Sequence, residues 1–93
     1  MLPTELKLHV HIDPVHSFIE VSANIVEELG LTAKLSRQSY ISPGAETFYL
    51  ECDVDGHLLA DALSNHNIDF AFDETIHEEL CMFRRYRTIG YLQ

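Results

Sequence analysis

The chain has 93 residues, 46% of them apolar, and its fifteen acidic and six basic side chains give a formal charge of −9. A chain of this length reads as one domain over residues 1–93 that buries roughly 60 to 65% of its unfolded surface, so function is expected on the surface. No apolar run approaches the ~20 residues of a membrane helix, and the acidic balance repels nucleic acid and anionic lipid, so neither is an expected direct partner.

The opening MLPTELKL has neither the basic start nor the apolar core of a signal peptide, which makes a cytoplasmic location the expectation. Residues 5–12 then alternate strictly, as a half-buried strand does, with Leu6, Leu8, Val10 and Ile12 on one face and Lys7, His9 and His11 on the other. Residues 14–29 change to a helical period. Val15, Phe18, Ile19, Ser22, Ile25, Val26 and Leu29 fall on one side, with His16, Glu20, Asn24, Glu27 and Glu28 away from it. Asp13 suits the cap of such a helix, Pro14 its first position and Gly30 its end.

Residues 31–38 alternate again as a second strand, Ser42-Pro43-Gly44 marks a turn, and residues 47–54 return as a third strand. A shorter helix is predicted from Asp55 to about Asn65 with Leu58, Leu59, Ala62 and Leu63 inward, followed by a fourth strand over residues 68–73. Beyond it the pattern supports two readings. One is a third helix, with Thr75 and Glu78 as a capping box and Ile76, Leu80 and Phe83 on one face; the other is a fifth strand through LCMFRRYRT that pairs back on residues 68–73.

The two strand-to-turn entrances match each other. Setting Asp13-Pro14 against Asp55-Gly56 aligns Leu6, Leu8, Val10 and Ile12 with Phe48, Leu50, Cys52 and Val54, and His9 and His11 with Glu51 and Asp53. The order βαββαβ with two right-handed crossovers predicts a ferredoxin-like α+β fold: a four-stranded antiparallel sheet, two helices on one face, and the C-terminal element added to it. The first and third strands are then central neighbours, and Lys7, His9, His11, Tyr49, Glu51 and Asp53 share the uncovered face.

Three functions follow as expectations. The leading one is an acidic binding protein that docks on a basic surface of a larger protein, including one built to hold nucleic acid, and inhibits or regulates it. Carboxylates (Glu51, Asp53, Asp69, Asp73, Glu20, Glu27, Glu28) would steer it, and exposed aromatic and apolar side chains, Tyr40, Ile41, Tyr49 and Tyr91, would anchor it. Antitoxins, immunity proteins and phage-encoded inhibitors share these gross properties, which is an analogy of fold and charge alone. A second expectation is a metal- or ligand-sensing domain, in which His9 and His11 supply two imidazoles and Glu51 or Asp53 an oxygen. The third is acid-base catalysis by a His-carboxylate pair.

The remaining signals are structural. Cys52 and Cys81 are too few and too far apart for a zinc or redox spacing. His16, His57, His66 and His77 are scattered over helix starts, a helix end and a loop. Arg84, Arg85 and Arg87 are expected to pair with Asp69, Asp73, Glu78 or Glu79. No motif implies a cofactor, and an uncovered sheet face would also accept a second copy of the chain as a homodimer.

Overall fold

A computed structural model describes residues 2–88. Its first strand, β1, runs over Glu5–Ile12, as the alternation predicts, with Leu8 and Val10 buried on one face. The helix predicted over residues 14–29 is corrected. The chain reverses at Asp13-Pro14-Val15-His16 and returns antiparallel as β2, Ser17–Ser22, and only Ala23–Glu28 is helical, as α1. Ile19 and Val21 face the helical layer, while Phe18 is buried on the opposite side of the strand. Burial on both faces gives an apolar run whose spacing mimics a helix.

Asp13 performs the chemistry expected of a helix cap in a different setting. Its Oδ1 accepts the backbone N–H groups of Val15 and His16, both at 2.9 Å, which closes the β1–β2 turn. Gly30, at φ +73°, ends α1 in the left-handed conformation that its position suggests.

The strand predicted over residues 31–38 is absent. A 3-10 turn at Thr32–Lys34 brings Leu31 and Leu35, four apart, into the same core, whereas a strand would have held them extended. The turn at Ser42-Pro43-Gly44 does form a hairpin, between β3 (Tyr40–Ile41) and β4 (Thr47–Glu51). The second helix, α2, spans Asp55–Asn65 and buries Leu59 and Leu63, with Leu58 and Ala62 packed against the same core. Its start lies tight on β2: a Cβ added to Gly56 would stand 3.2 Å from the Ile19 Cδ1 atom.

Strand β5, Asp69–Ile76, pairs parallel with β1 and forms one edge of the sheet. The chain then crosses to the opposite edge. Residues 77–86 lie over the face away from the helices, form a 3-10 turn at Met82–Arg85, and lead into β6, Arg87–Thr88, which pairs with β3. Neither reading of the C-terminal segment is therefore met. The short turn replaces the third helix, and the final strand adds to β3 at the far edge.

Among the described residues the fold is α+β, with a six-stranded mixed sheet in the order β5-β1-β2-β4-β3-β6 and two helices sharing one core. This corrects the four-stranded antiparallel sheet. Because β2 lies between β1 and β4, the two matched strands are not neighbours. A second, aromatic cluster of Phe18, Cys81 and Phe83, flanked by Tyr40, Tyr49 and Tyr86, covers the middle of the other face.

Candidate functional site

The face opposite the helices is ordered by strand register. One row runs Asp73, His9, Glu20, Tyr49, Tyr40, Thr88 across all six strands, and the next runs Thr75, His11, Phe18, Glu51. Glu51 thus stands two strands from His11, roughly 10 Å at ordinary strand spacing. The metal set expected from His9 and His11 with Glu51 or Asp53 is not brought together.

The histidines have other partners. His9 Nε2 lies 2.7 Å from Thr75 Oγ1. His11 Nε2 lies 2.9 Å from Glu20 Oε1, and its Nδ1 lies 3.0 Å from His77 Nε2. A carboxylate accepts only, so His11 Nε2 carries a proton. His11 Nδ1 then either accepts from His77 or, in the imidazolium, donates to it. Glu20, His11 and His77 form a hydrogen-bonded line that opens on a groove of about 680 Å³ bordered by Ile76, Leu80, Met82 and Phe83. His77 has no sequence signal for this role, since it contacts residues 66 positions away.

Residues 81–86 take the centre of the face. Phe83 stacks on Tyr49 with ring centroids 4.2 Å apart at 8° and meets Phe18 edge-on at 5.0 Å. Tyr40 and Tyr49 are half-buried beneath it, Ile41 belongs to the main core, and Glu51 is buried, so these four are not the open anchors and steering charge expected of them. Burial, then the Glu20 carboxylate and then Tyr86 push the Tyr49 phenol above its ordinary value. Tyr91 lies outside the described residues.

Arg84 reaches neither Asp69, Asp73, Glu78 nor Glu79. Its Nε and Nη2 donate to Asp13 Oδ2 and Oδ1 at 2.7 and 3.0 Å, and its guanidinium lies 5.1 Å over the Phe18 ring. Asp73 instead pairs at the surface with Lys7, at 3.3 Å.

The second matched entrance also ends in a buried carboxylate. Asp55 accepts the Ser36 N–H and Oγ–H and the Ser39 Oγ–H, and Ser39 Oγ accepts the Glu51 N–H at 3.0 Å. This mortise holds the end of β4. Glu51 Oε1 accepts the Asp53 N–H at 3.1 Å and lies 3.9 Å from His16 Nδ1. Among the described residues, His16, Glu51 and Asp53 are able to converge on one cation, with donor atoms that lie within 4.8 Å of one another.

The steering acids divide between layers. Asp69 and Asp73 are exposed on the β5 edge, Asp53 on the turn after β4, and Glu27 and Glu28 on α1 in the helical layer; Glu20 is half-buried and bonded to His11. Sequence reasoning missed the exposed apolar side chains beside the β5 acids. Ile76 is 79% exposed, Met82 78%, Leu80 56% and Phe72 46%. Their signal was masked because Ile76 and Leu80 share a helical spacing that suggests an inward face.

No protein-family model, curated protein or solved structure matches the chain. Among the described residues no helix is long and apolar enough to cross a membrane.

Proposed function

We propose that the chain is a small acidic binding protein that docks its β5 edge and residues 76–82 on a basic surface of a larger protein, and thereby blocks or regulates that surface. The observation that carries this reading is the coincidence of exposed apolar and acidic side chains at one edge. Ile76, Leu80 and Met82 border one groove, Phe72 is exposed at the same edge but on the helical face of β5 beside His57 and Ala60, and Asp73, Glu74, Glu78 and Glu79 are interleaved with them along the chain. Exposed large apolar groups rimmed by charge have the anatomy of an interface, with burial supplying affinity and charge supplying approach.

Charge decides what kind of partner fits. The outer edge of β5 bears no strand among the described residues, and such an edge invites another chain. A second copy would bring Asp69, Asp73 and Glu74 against their own counterparts on a molecule of formal charge −9, so self-pairing is opposed. A cationic strand or surface removes that repulsion, by adding to the edge or by seating on the groove. A protein surface shaped to hold nucleic acid has the required charge, which keeps mimicry of nucleic acid within the proposal.

Photo-crosslinking in native host cells tests the location. A crosslinkable residue at position 76 or 82 is expected to capture one partner through a Lys- or Arg-rich surface, and the same residue at position 61, exposed on α2, to capture none. Equal capture from position 61, or crosslinks only between copies of the chain, would overturn the proposal.

A second reading, acid-base catalysis, is favoured by one observation, the Glu20, His11, His77 line at the groove. A carboxylate that orients an imidazole is the arrangement of a general base. Its expected signature is a pH-dependent activity lost on His11→Gln, and an activity indifferent to that substitution would remove it.

A further inference from the structure

Burial of Glu51 is the starting point. Its side chain is 3% exposed, yet its carboxylate receives one hydrogen bond, from the N–H of Asp53, and no lysine or arginine among the described residues pairs with it. The contrast with the other buried carboxylates is sharp. Asp13 holds a guanidinium and three N–H groups, and Asp55 holds two hydroxyls and an N–H. A desolvated carboxylate ordinarily has such compensation, and beyond the Asp53 N–H the nearest partner of Glu51 among the described residues is His16 at 3.9 Å.

We propose that His16 Nδ1 and the carboxylates of Glu51 and Asp53 bind a divalent transition-metal cation at the mouth of the β1–β2 turn. The three donors come from different segments: His16 from the turn, Glu51 from the end of β4, Asp53 from the turn into α2. Two of these segments are already fixed. The His16 N–H is held by Asp13, and the Glu51 N–H is held by Ser39, which is in turn bonded to Asp55. Only exposed side chains need to move. His16 Nδ1 and Glu51 Oε1 stand 3.9 Å apart, beyond the roughly 3.3 Å edge of a tetrahedron with 2.0 to 2.2 Å bonds, and with all three donors within 4.8 Å of one another, rotation of His16 and Asp53 can close that difference.

The donor set selects the ion. One imidazole with two carboxylates suits zinc or manganese, whereas calcium requires six to eight oxygens and magnesium retains its water. With three protein ligands and two of them at the surface, the remaining coordination positions open to solvent. This is the arrangement of a site that exchanges ligands rather than of a closed structural one. The site is independent of His9 and His11, which are committed to Thr75, Glu20 and His77.

Calorimetric titration of the full chain, freed of metal, with Zn²⁺ alone and Mn²⁺ alone tests the assignment. Cobalt absorption spectra provide a direct view of the coordination. One ion per chain is expected, with affinity reduced at least tenfold by His16→Ala, Asp53→Asn and Glu51→Gln and unchanged in a His9→Ala, His11→Ala double variant. If Glu51→Gln does not fold, the two substitutions at exposed positions decide. Absence of stoichiometric binding by either ion up to about 1 mM, binding unaffected by His16→Ala and Asp53→Asn, or loss of binding in the His9, His11 variant would each overturn it.

Discussion

Arg84 and Asp13, 71 residues apart, meet through a two-pronged hydrogen-bonded ion pair, and the same carboxylate accepts the N–H of Cys81 at 3.2 Å. This contact ties the crossing segment to the β1–β2 turn. Neither partner is exposed as a side chain to more than 20%, and Asp13 is fully enclosed. Removing one member leaves a buried charge without its counterion, so Arg84→Ala is expected to cost about 3 to 5 kcal/mol of stability in urea unfolding. Arg84→Lys should recover only part of this, because an ammonium cannot make the planar pair.

Acid should weaken the same contact. Burial alone would raise the Asp13 carboxyl, but the Arg84 guanidinium and the N–H groups of His16, Val15 and Cys81 outweigh it and hold the group well below the ordinary carboxylate range. The folded state therefore resists protonation more than the unfolded one. The stabilisation is complete above the unfolded value of about 4 and is lost progressively as pH falls below it. In urea midpoints measured from neutral to strongly acidic pH, the gap between the native chain and Asp13→Asn should narrow on the acidic side.

Phe83 should behave as a peg. It stacks on Tyr49 and meets Phe18 edge-on, so Phe83→Ala removes the centre of the aromatic cluster and should cost about 3 to 5 kcal/mol. Hydrogen exchange is expected to accelerate first in residues 81–88, ahead of α2. Ultraviolet titration should show the Tyr49 phenol returning toward the ordinary value of about 10 as its cover is lost.

The thiols should be poor nucleophiles. Burial and the neighbouring Asp13 carboxylate push the Cys81 thiol up to about 11, and burial chiefly raises Cys52 as well. At mildly alkaline pH both should react slowly with a thiol reagent in the folded chain and at ordinary rates in denaturant. Prompt labelling of Cys81 in the native protein would mean that the crossing segment does not lie where it is described.

Several elements were legible because their signals are local. The alternation of β1, the Ser42-Pro43-Gly44 turn and the whole of α2 depend on neighbours within a few positions. Strand β2 was not legible because Phe18 owes its burial to Phe83 and Ile19 its burial to the helical core, and one stretch buried on two faces has the spacing of a helix. The repeated entrance carried real information of a different kind. Asp13 and Asp55 are both buried and both anchor a loop through hydrogen bonds, but only the second opens a helix. At the site, the acids of β5 were foreseen, while the apolar side chains beside them and the joining of His16 to Glu51 and Asp53 depend on how β2 reverses.

The proposal that the β5 edge and residues 76–82 dock on a basic surface is tested most directly by the salt dependence of binding to the crosslinked partner. The native chain should lose affinity steeply as salt rises. A Glu78→Lys, Glu79→Lys variant should bind at least tenfold more weakly at low salt and lose most of that dependence. An affinity indifferent to salt and unchanged in the variant would contradict the account.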